Sequence, residues 1–476
     1  MLDLAHDPKH PLLFHSGTFL VLFTVFLFVH SALAGKNRLR LAWLLGFSLF
    51  YYWRSNGLFT LALVGLAATD WLLAQWVHAE QRPGRRKALL AISIASNLLA
   101  LGFFKYTNFF LGTAASLRDV PFEPLDIFLP LGISFHVFQS LSYLIDVYRR
   151  RYPPQKSFFE YLLLLCFFPQ IVAGPIVRAP ELFSSIHPLR DPERDEVGAA
   201  LVRILRGVIK KAIFADYLGL YADLVFGAPA TFSGPEVLLG VYAYALQIYF
   251  DFSGYSDMAL GMAKLLGVEI PENFRSPYRA TSITDFWRRW HISLSSWLRE
   301  YLYVSLGGNR HGRWRQLAAL MLTMLLGGLW HGASWTFVVW GGLHGLALAW
   351  DKLWPRAWSL AGSPALGWLF TFHFVAATWV FFRAESFAGA FDVFRQLGVG
   401  WGETPIATLL GERRWLLVAL AAGALACALP DGFARRLEGW LRVTPAIAKS
   451  AAFAALALVV AHMASVEVRP FIYFQF

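Results

Sequence analysis

Apolar runs, several of them as long as a bilayer is thick, separated by short loops rich in Lys and Arg, restrict this chain more than any other feature. The runs fall at about 13–34, 58–77, 88–110, 124–147, 209–226, 236–266, 317–330, 335–350, 366–382, 415–429 and 451–463. A transmembrane helix needs about 20 such residues. Inside lipid every backbone polar group must be paired internally, so runs of this length span as helices. The 476 residues are 57% hydrophobic and only 15% charged, and the mean hydropathy is +0.48. A water-soluble chain of this size carries more charge on its surface. The expected fold is therefore an all-α polytopic membrane protein with roughly eleven to thirteen spans plus re-entrant or interfacial helices. No internal repeat, low-complexity tract or soluble domain is visible, so residues 1–476 read as a single integral-membrane domain with a core at about 124–350.

The basic balance has a topological meaning. A net charge of +11 and a pI near 9.6 would suggest nucleic acid in a soluble protein. Here the cations sit in short loops, the signature of cytoplasmic loops, which argues against nucleic-acid binding. The first run ends in Ala32-Leu33-Ala34, which resembles a signal-peptide cleavage site. Asp3 and Asp7 precede it against a single Lys9, whereas Lys36, Arg38 and Arg40 follow, so an uncleaved span with an extracytoplasmic N-terminus is expected. The run at 41–53 is short enough to be tilted or partly interfacial. Arg82, Arg85, Arg86, Lys87 and Arg149 to Arg151 mark cytoplasmic loops. Residues 158–173, flanked by bases and followed by Gly174-Pro175, read as re-entrant or interfacial. The polar loop from Arg190 to Glu196 is expected along the cytoplasmic surface. Glu385, Asp392, Glu403 and Glu412 place residues 384–412 outside, and Arg435, Arg436 and Arg442 return the chain inside. The C-terminus is then extracytoplasmic. Cys166 and Cys427 lie in apolar runs and read as core packing.

Residues 285–345 hold the chemistry. Ser282 or Thr284 can cap a helix that starts at Asp285. Trp287, Trp290, Leu294, Trp297 and Tyr301 recur at spacings of three and four, one face of a helix, with Arg288, Ser295 and Arg299 towards the other. Such a helix lies in the membrane interface, and His291 projects one turn after Trp287. His331 follows in an apolar run between Gly327-Gly328 and Gly332, which suggests irregular backbone at membrane depth. An ionisable side chain there is a functional candidate by default. An incidental interfacial His291 and a satisfied buried His331 would give the same spacing. Arg275, Arg279, Arg288, Arg289, Arg299, Arg310, Arg313 and Arg315 could hold the phosphates of a large anionic donor. They could equally fix topology and meet anionic membrane lipids. His331 and His344 are 13 residues apart, about 20 Å along one helix, and no HExxH, CxxC or G-x-S-x-G occurs, which leaves no metal site and no serine elbow. What remains is a histidine suited to general-base work on a hydroxyl.

Trp287-Arg288-Arg289-Trp290-His291-Ile292-Ser293-Leu294-Ser295, followed by Gly328-Leu329-Trp330-His331-Gly332, resembles the membrane-bound O-acyltransferase superfamily. Leu129-Pro130-Leu131-Gly132-Ile133-Ser134-Phe135 with Gln139 and Tyr143, Phe168-Pro169-Gln170 with Ala173-Gly174-Pro175, Tyr249 through Asp257, and Asn273-Phe274-Arg275-Ser276-Pro277-Tyr278 are similar to its bacterial polysaccharide branch. His136 departs from the aromatic residue expected there. The resemblance implies funnels from both sides meeting at the family's histidine. His331 would be the catalytic residue and His291 the second functional histidine. Acetyl-CoA would be a cytoplasmic donor substrate rather than a bound cofactor, near Trp287, Arg288, Arg289, Arg299 and Asn273. It further implies O-acetylation of an exported polysaccharide with an extracytoplasmic SGNH-type partner, in the bacterial inner membrane. The terminal Phe471-Ile472-Tyr473-Phe474-Gln475-Phe476 resembles the end of the small partner protein in teichoic-acid D-alanylation, which makes Tyr473 a candidate acyl relay. An aromatic interfacial anchor is the plain alternative. A polytopic transporter or flippase, or a relative acylating a lipid, protein or teichoic acid, are the rival readings.

Overall fold

The computed structural model describes residues 5–7, 11–354, 363–402, 406–429 and 470–472. The expected span at 451–463, the loop bases Arg435, Arg436 and Arg442, and Tyr473 lie outside them. Regular structure among the described residues is helical throughout. Phe59–Ala79, Pro83–Leu117 and Pro364–Arg383 are long and apolar enough to cross a membrane by themselves, and Gly17–Ala32 and Arg414–Ala428 are shorter apolar helices. The remaining long helices carry charges that the fold buries, such as Asp251 and Asp257 within Gly234–Leu265. Side chains such as Leu99, Phe103, Phe110 and Leu117 on Pro83–Leu117 are exposed, an apolar surface that fits lipid rather than water. The chain is a multi-pass membrane protein.

Several boundaries differ from the sequence reading. The expected short run at 41–53 is the 20-residue helix Asn37–Asn56, extended by the buried polar residues Arg40, Arg54 and Asn56. The expected span at 124–147 is helical only over Ile133–Tyr148. Pro124 and Pro130 disfavour helix before it, and Gly132 sits at φ +81°, where an added Cβ would lie 2.3 Å from the Ile171 carbonyl oxygen. The polar loop expected up to Glu196 gives way to the helix Arg194–Ile209. That helix continues through a π turn at Lys210–Ala215 into Asp216–Gly227. Residues 384–412 contain the short helices Phe387–Gln396 and Ile406–Glu412. Phe158–Cys166 has nine residues, about 13 Å of helix, too short to cross, as the re-entrant reading requires.

The chain forms two compact units. Of the described residues, the first comprises those within 5–204 and 258–271, the second those within 205–257 and 272–472. In the first, the rings of Phe14, Phe19, Phe23, Phe26, Phe47 and Tyr51 surround Phe168 at centroid distances of 5.0 to 6.4 Å. Around this centre the non-helical backbone finds side-chain partners: the Phe168 amide donates to Ser48 Oγ at 3.2 Å and Gln170 Nε2 to the Leu164 carbonyl at 2.7 Å. The Leu131 amide likewise donates to Asn56 Oδ1 at 2.7 Å. Buried backbone groups need such partners. The motif residues at 129–143 and 168–175 thus hold a buried irregular segment. His136 is also buried, 2% exposed, in this unit.

In the second unit, Arg313–His331 and Trp335–Leu353 form a hairpin whose backbones touch. A Cβ on Gly328 would lie 2.3 Å from the Phe337 carbonyl oxygen, and one on Gly341 would lie 2.2 Å from that of Met324. Small residues at helix contacts are how membrane helices approach closely. Gly327 and Gly328 therefore serve helix packing within regular helix, contrary to the irregular backbone expected of them. The break begins at Gly332, where a Cβ would lie 2.2 Å from the Phe337 ring.

Candidate active site

The helix expected from Asp285 onward is broken at the residue of interest. Ser282 caps Ile283–Arg289, its hydroxyl accepting from the Asp285 amide at 3.1 Å, and Asp351 Oδ2 accepts from the Thr284 amide at 2.7 Å. The chain then leaves helical geometry and resumes at Ile292–Trp297, followed by a π turn at Leu298–Tyr303. His291 is the N-cap of the second piece, in the left-handed region at φ 42° and ψ 56°. Trp287, Trp290, Leu294, Trp297 and Tyr301 are all buried, at 9% exposure or less. The interfacial amphipathic helix is therefore corrected to two short buried pieces with His291 at their junction.

Segment 273–275 occupies the backbone groups that the break releases. The Ile292 amide donates to the Asn273 carbonyl at 2.9 Å and the Arg275 amide to that of Arg289 at 3.0 Å. Asn273 Oδ1 accepts from Ser293 Oγ at 2.9 Å and from the Ser293 amide at 3.3 Å, and Asn273 Nδ2 donates to Ser256 Oγ at 3.3 Å. His291 Nδ1 lies 3.0 Å from the same Oδ1. Because Oδ1 can only accept, Nδ1 carries the proton and Nε2 is the lone-pair nitrogen. A residue strained into the left-handed region and held by its neighbours is typical of functional sites.

His331 ends its helix and is 4% exposed. Its ring packs 4.9 Å from Trp330, 5.1 Å from Trp340 edge-to-face and 5.4 Å from Phe382. Trp330 reaches back to the His291 ring at 6.3 Å, and Phe252 packs edge-on against His291 at 4.7 Å. The two sequence candidates thus face one tryptophan within a single aromatic shell.

His344 also belongs to this shell, and its chemistry differs. Trp287 Nε1, a donor only, donates to His344 Nδ1 at 3.2 Å. Nε2 then carries the proton and donates to Thr378 Oγ1 at 3.0 Å, whose hydroxyl donates to the Val375 carbonyl at 2.9 Å. Both nitrogens are used internally, which makes His344 a structural histidine.

The proposed donor-binding residues separate into two sets. Trp287 and Asn273 are buried and hold His344 and His291. Arg289 is tied by its Nε to Asp285 at 2.9 Å. Arg275, Arg279, Arg288, Arg299, Arg310, Arg313 and Arg315 are exposed, with Arg299 3.5 Å from Glu300. The exposed set faces solvent, whereas Trp287 and Asn273 are engaged inside the protein. The sequence reading missed Thr378, and Ser256 entered it only within the motif at 249–257, with no role of its own. It also missed Lys211 and gave Asp251 no role beyond that motif, although both are charges inside apolar runs that merited the same suspicion as His331. Among the described residues no cluster of His, Cys, Asp and Glu could hold a metal ion.

The model of the MBOAT, membrane-bound O-acyltransferase family, matches residues 154–389. The chain is 39% identical over 387 residues to a probable alginate O-acetylase AlgI of Pseudomonas putida, covering 79% of this chain and 78% of that protein. It is 36% identical over 512 aligned residues to the probable alginate O-acetylase AlgI of Azotobacter vinelandii, covering 98% and 100%. It is also 36% identical over 397 residues to a peptidoglycan O-acetyltransferase of Helicobacter pylori, covering 77% and 75%.

Proposed function

The chain belongs to the membrane-bound O-acyltransferase family, and from that premise we propose that it moves acetyl groups from cytoplasmic acetyl-CoA across the inner membrane for O-acetylation of an exported polysaccharide. It is an O-acyltransferase, and relatives named for alginate and for peptidoglycan support a polysaccharide acceptor. The observation that carries the reading is the pairing of His331 with His291 across Trp330.

In this reading His331 is the general base. It takes the proton of an attacking hydroxyl as that oxygen bonds to the thioester carbonyl carbon. The carbon–sulfur bond then breaks, and CoA leaves as the thiol with the proton His331 returns. His291, whose Nε2 is the accepting nitrogen, orients the hydroxyl. The exposed Arg288, Arg299, Arg310, Arg313 and Arg315 attract the CoA phosphates. The first acceptor is the phenol of Tyr473. It passes the acetyl group to an SGNH-type partner outside the membrane, which esterifies the polysaccharide.

Purified protein in nanodiscs with acetyl-labelled CoA tests this. His331→Ala is expected to lower acetyl release by about 10²–10⁴-fold, the usual worth of a general base, with an unchanged melting midpoint. Retained turnover would remove His331 from the chemistry. Mass spectrometry should find the label on Tyr473, and Tyr473→Phe should abolish polysaccharide acetylation. Acetylation that survives Tyr473→Phe would sink the relay.

A further inference from the structure

A buried ion pair meets the C-terminal segment. Lys211 and Asp251 are 1% and 3% exposed in the second unit. Lys211 Nζ donates to Asp251 Oδ1 at 2.6 Å and lies 2.8 Å from Asp216 Oδ1. An ammonium has three N–H donors, and the third contact is the Pro470 carbonyl at 3.3 Å. Asp251 divides its oxygens in the same way. Oδ1 takes Lys211, and Oδ2 accepts the Ile472 amide at 2.7 Å. Between these two bonds lies Phe471, 1% exposed. Its ring is 4.8 Å from Lys211 Nζ and 4.8 Å edge-on from Tyr255. The segment is read through its backbone by two opposite charges and through one side chain by an aromatic slot.

The fold is arranged to make this seat. A π turn at Lys210–Ala215 lets adjacent lysines serve different carboxylates: Lys210 reaches Asp257 Oδ2 at 2.7 Å, while Lys211 reaches Asp251. Gly254 lets Gly234–Leu265 press against that turn. A Cβ there would lie 2.9 Å from the Gly207 carbonyl oxygen and 3.3 Å from the Lys211 amide. Buried charges are costly unless paired and hydrogen-bonded, and residues 470–472 complete the pairing of both.

We propose that Lys211 and Asp251 are positioning residues that clamp the backbone of Pro470–Ile472 and so fix the point from which Tyr473 extends. This rests on the Tyr473 relay proposed above for its consequence, though not for the clamp itself. The clamp is tested by maleimide labelling of Phe471→Cys in nanodiscs, with the unsubstituted chain as the control for Cys166 and Cys427. Adding Asp251→Asn, or Ile472→Pro, which removes the donor N–H and restricts the backbone there while leaving the Lys211–Asp251 ion pair in place, is expected to speed labelling of the introduced thiol by about tenfold or more, as loss of one charge-assisted hydrogen bond predicts. Equal labelling in all three backgrounds, with unchanged melting midpoints, would overturn the clamp. Ile472→Pro should also lower acetyl transfer to polysaccharide while leaving the KM for acetyl-CoA unchanged. Faster labelling with undiminished transfer in both Ile472→Pro and Tyr473→Phe supports the clamp and rejects the relay.

Discussion

The two units each contain a dense aromatic cluster, and the clusters differ in what lies at the centre. In the first unit six rings surround Phe168, whose own side chain offers no polar group. In the second, tryptophans and phenylalanines enclose His331, with His291 and His344 nearby. Aromatic density is therefore no mark of a site. It excludes water in both places, and the difference lies in the ring at the centre, a phenyl in one and an imidazole in the other. The histidines themselves divide further: His344 uses both nitrogens within the protein, whereas the tautomer that Asn273 imposes on His291 leaves Nε2 as an acceptor.

Three experiments would break or sharpen that contrast. The largest stability effect is expected from Phe168→Ala, about 3–5 kcal/mol for truncating a buried aromatic, read as a fall in the denaturation midpoint, with turnover per folded molecule unchanged. A loss of turnover at intact stability would place the first cluster in the chemistry. Asn273→Ala comes next. It frees the His291 tautomer and is expected to cut turnover about 10–100-fold, the range for removing a group that orients a functional histidine, with KM little changed. If Asn273→Ala lowers stability alone, His291 is as structural as His344. The smallest effect belongs to Arg190→Gln on the surface. The Arg190 hydrogen bond, helped by the Glu193 amide, lowers Glu196 from an ordinary 4.5 to about 2. A depressed carboxylate contributes stability above its unfolded pKa and loses it as pH falls through the folded one. Between pH 4.5 and about 2 the melting midpoint of Arg190→Gln should vary less steeply than that of the unsubstituted chain, by a small margin because the pair is solvent-screened.

The sequence was most legible where a residue's type alone carries a cost. His331 in an apolar run could be singled out because a polar ring at membrane depth needs a reason. Phe158–Cys166 could be read as non-spanning because its flanks are basic on both sides. Legibility failed where contacts decide. Trp287, Trp290, Leu294, Trp297 and Tyr301 keep helical spacing straight through the break at His291, because all five are buried on both sides of it and periodicity cannot register an interruption that preserves the buried set. Gly328 was read as a breaker, yet the facing Gly341 makes it a contact point inside an unbroken helix. Lys211 and Asp251 cancel each other only in three dimensions, so their separate positions in the chain said little. Asn273 drew attention only through its motif, and its hold on His291 needed the fold to be seen.

The Gly328–Gly341 contact has a mechanical consequence. Where two helices meet through side chains, one can slip along the other by re-meshing. Here the carbonyl oxygens of Phe337 and Met324 occupy the space that any Cβ would need. A slip by about one turn would bring Met324, Leu325 or His331, and Phe337 or His344, to the crossing, and side chains of that size cannot enter it. The hairpin therefore moves as one rigid lever or not at all. His331, which ends the first of the two helices, is carried by that fixed crossing and cannot shift along the hairpin independently of it.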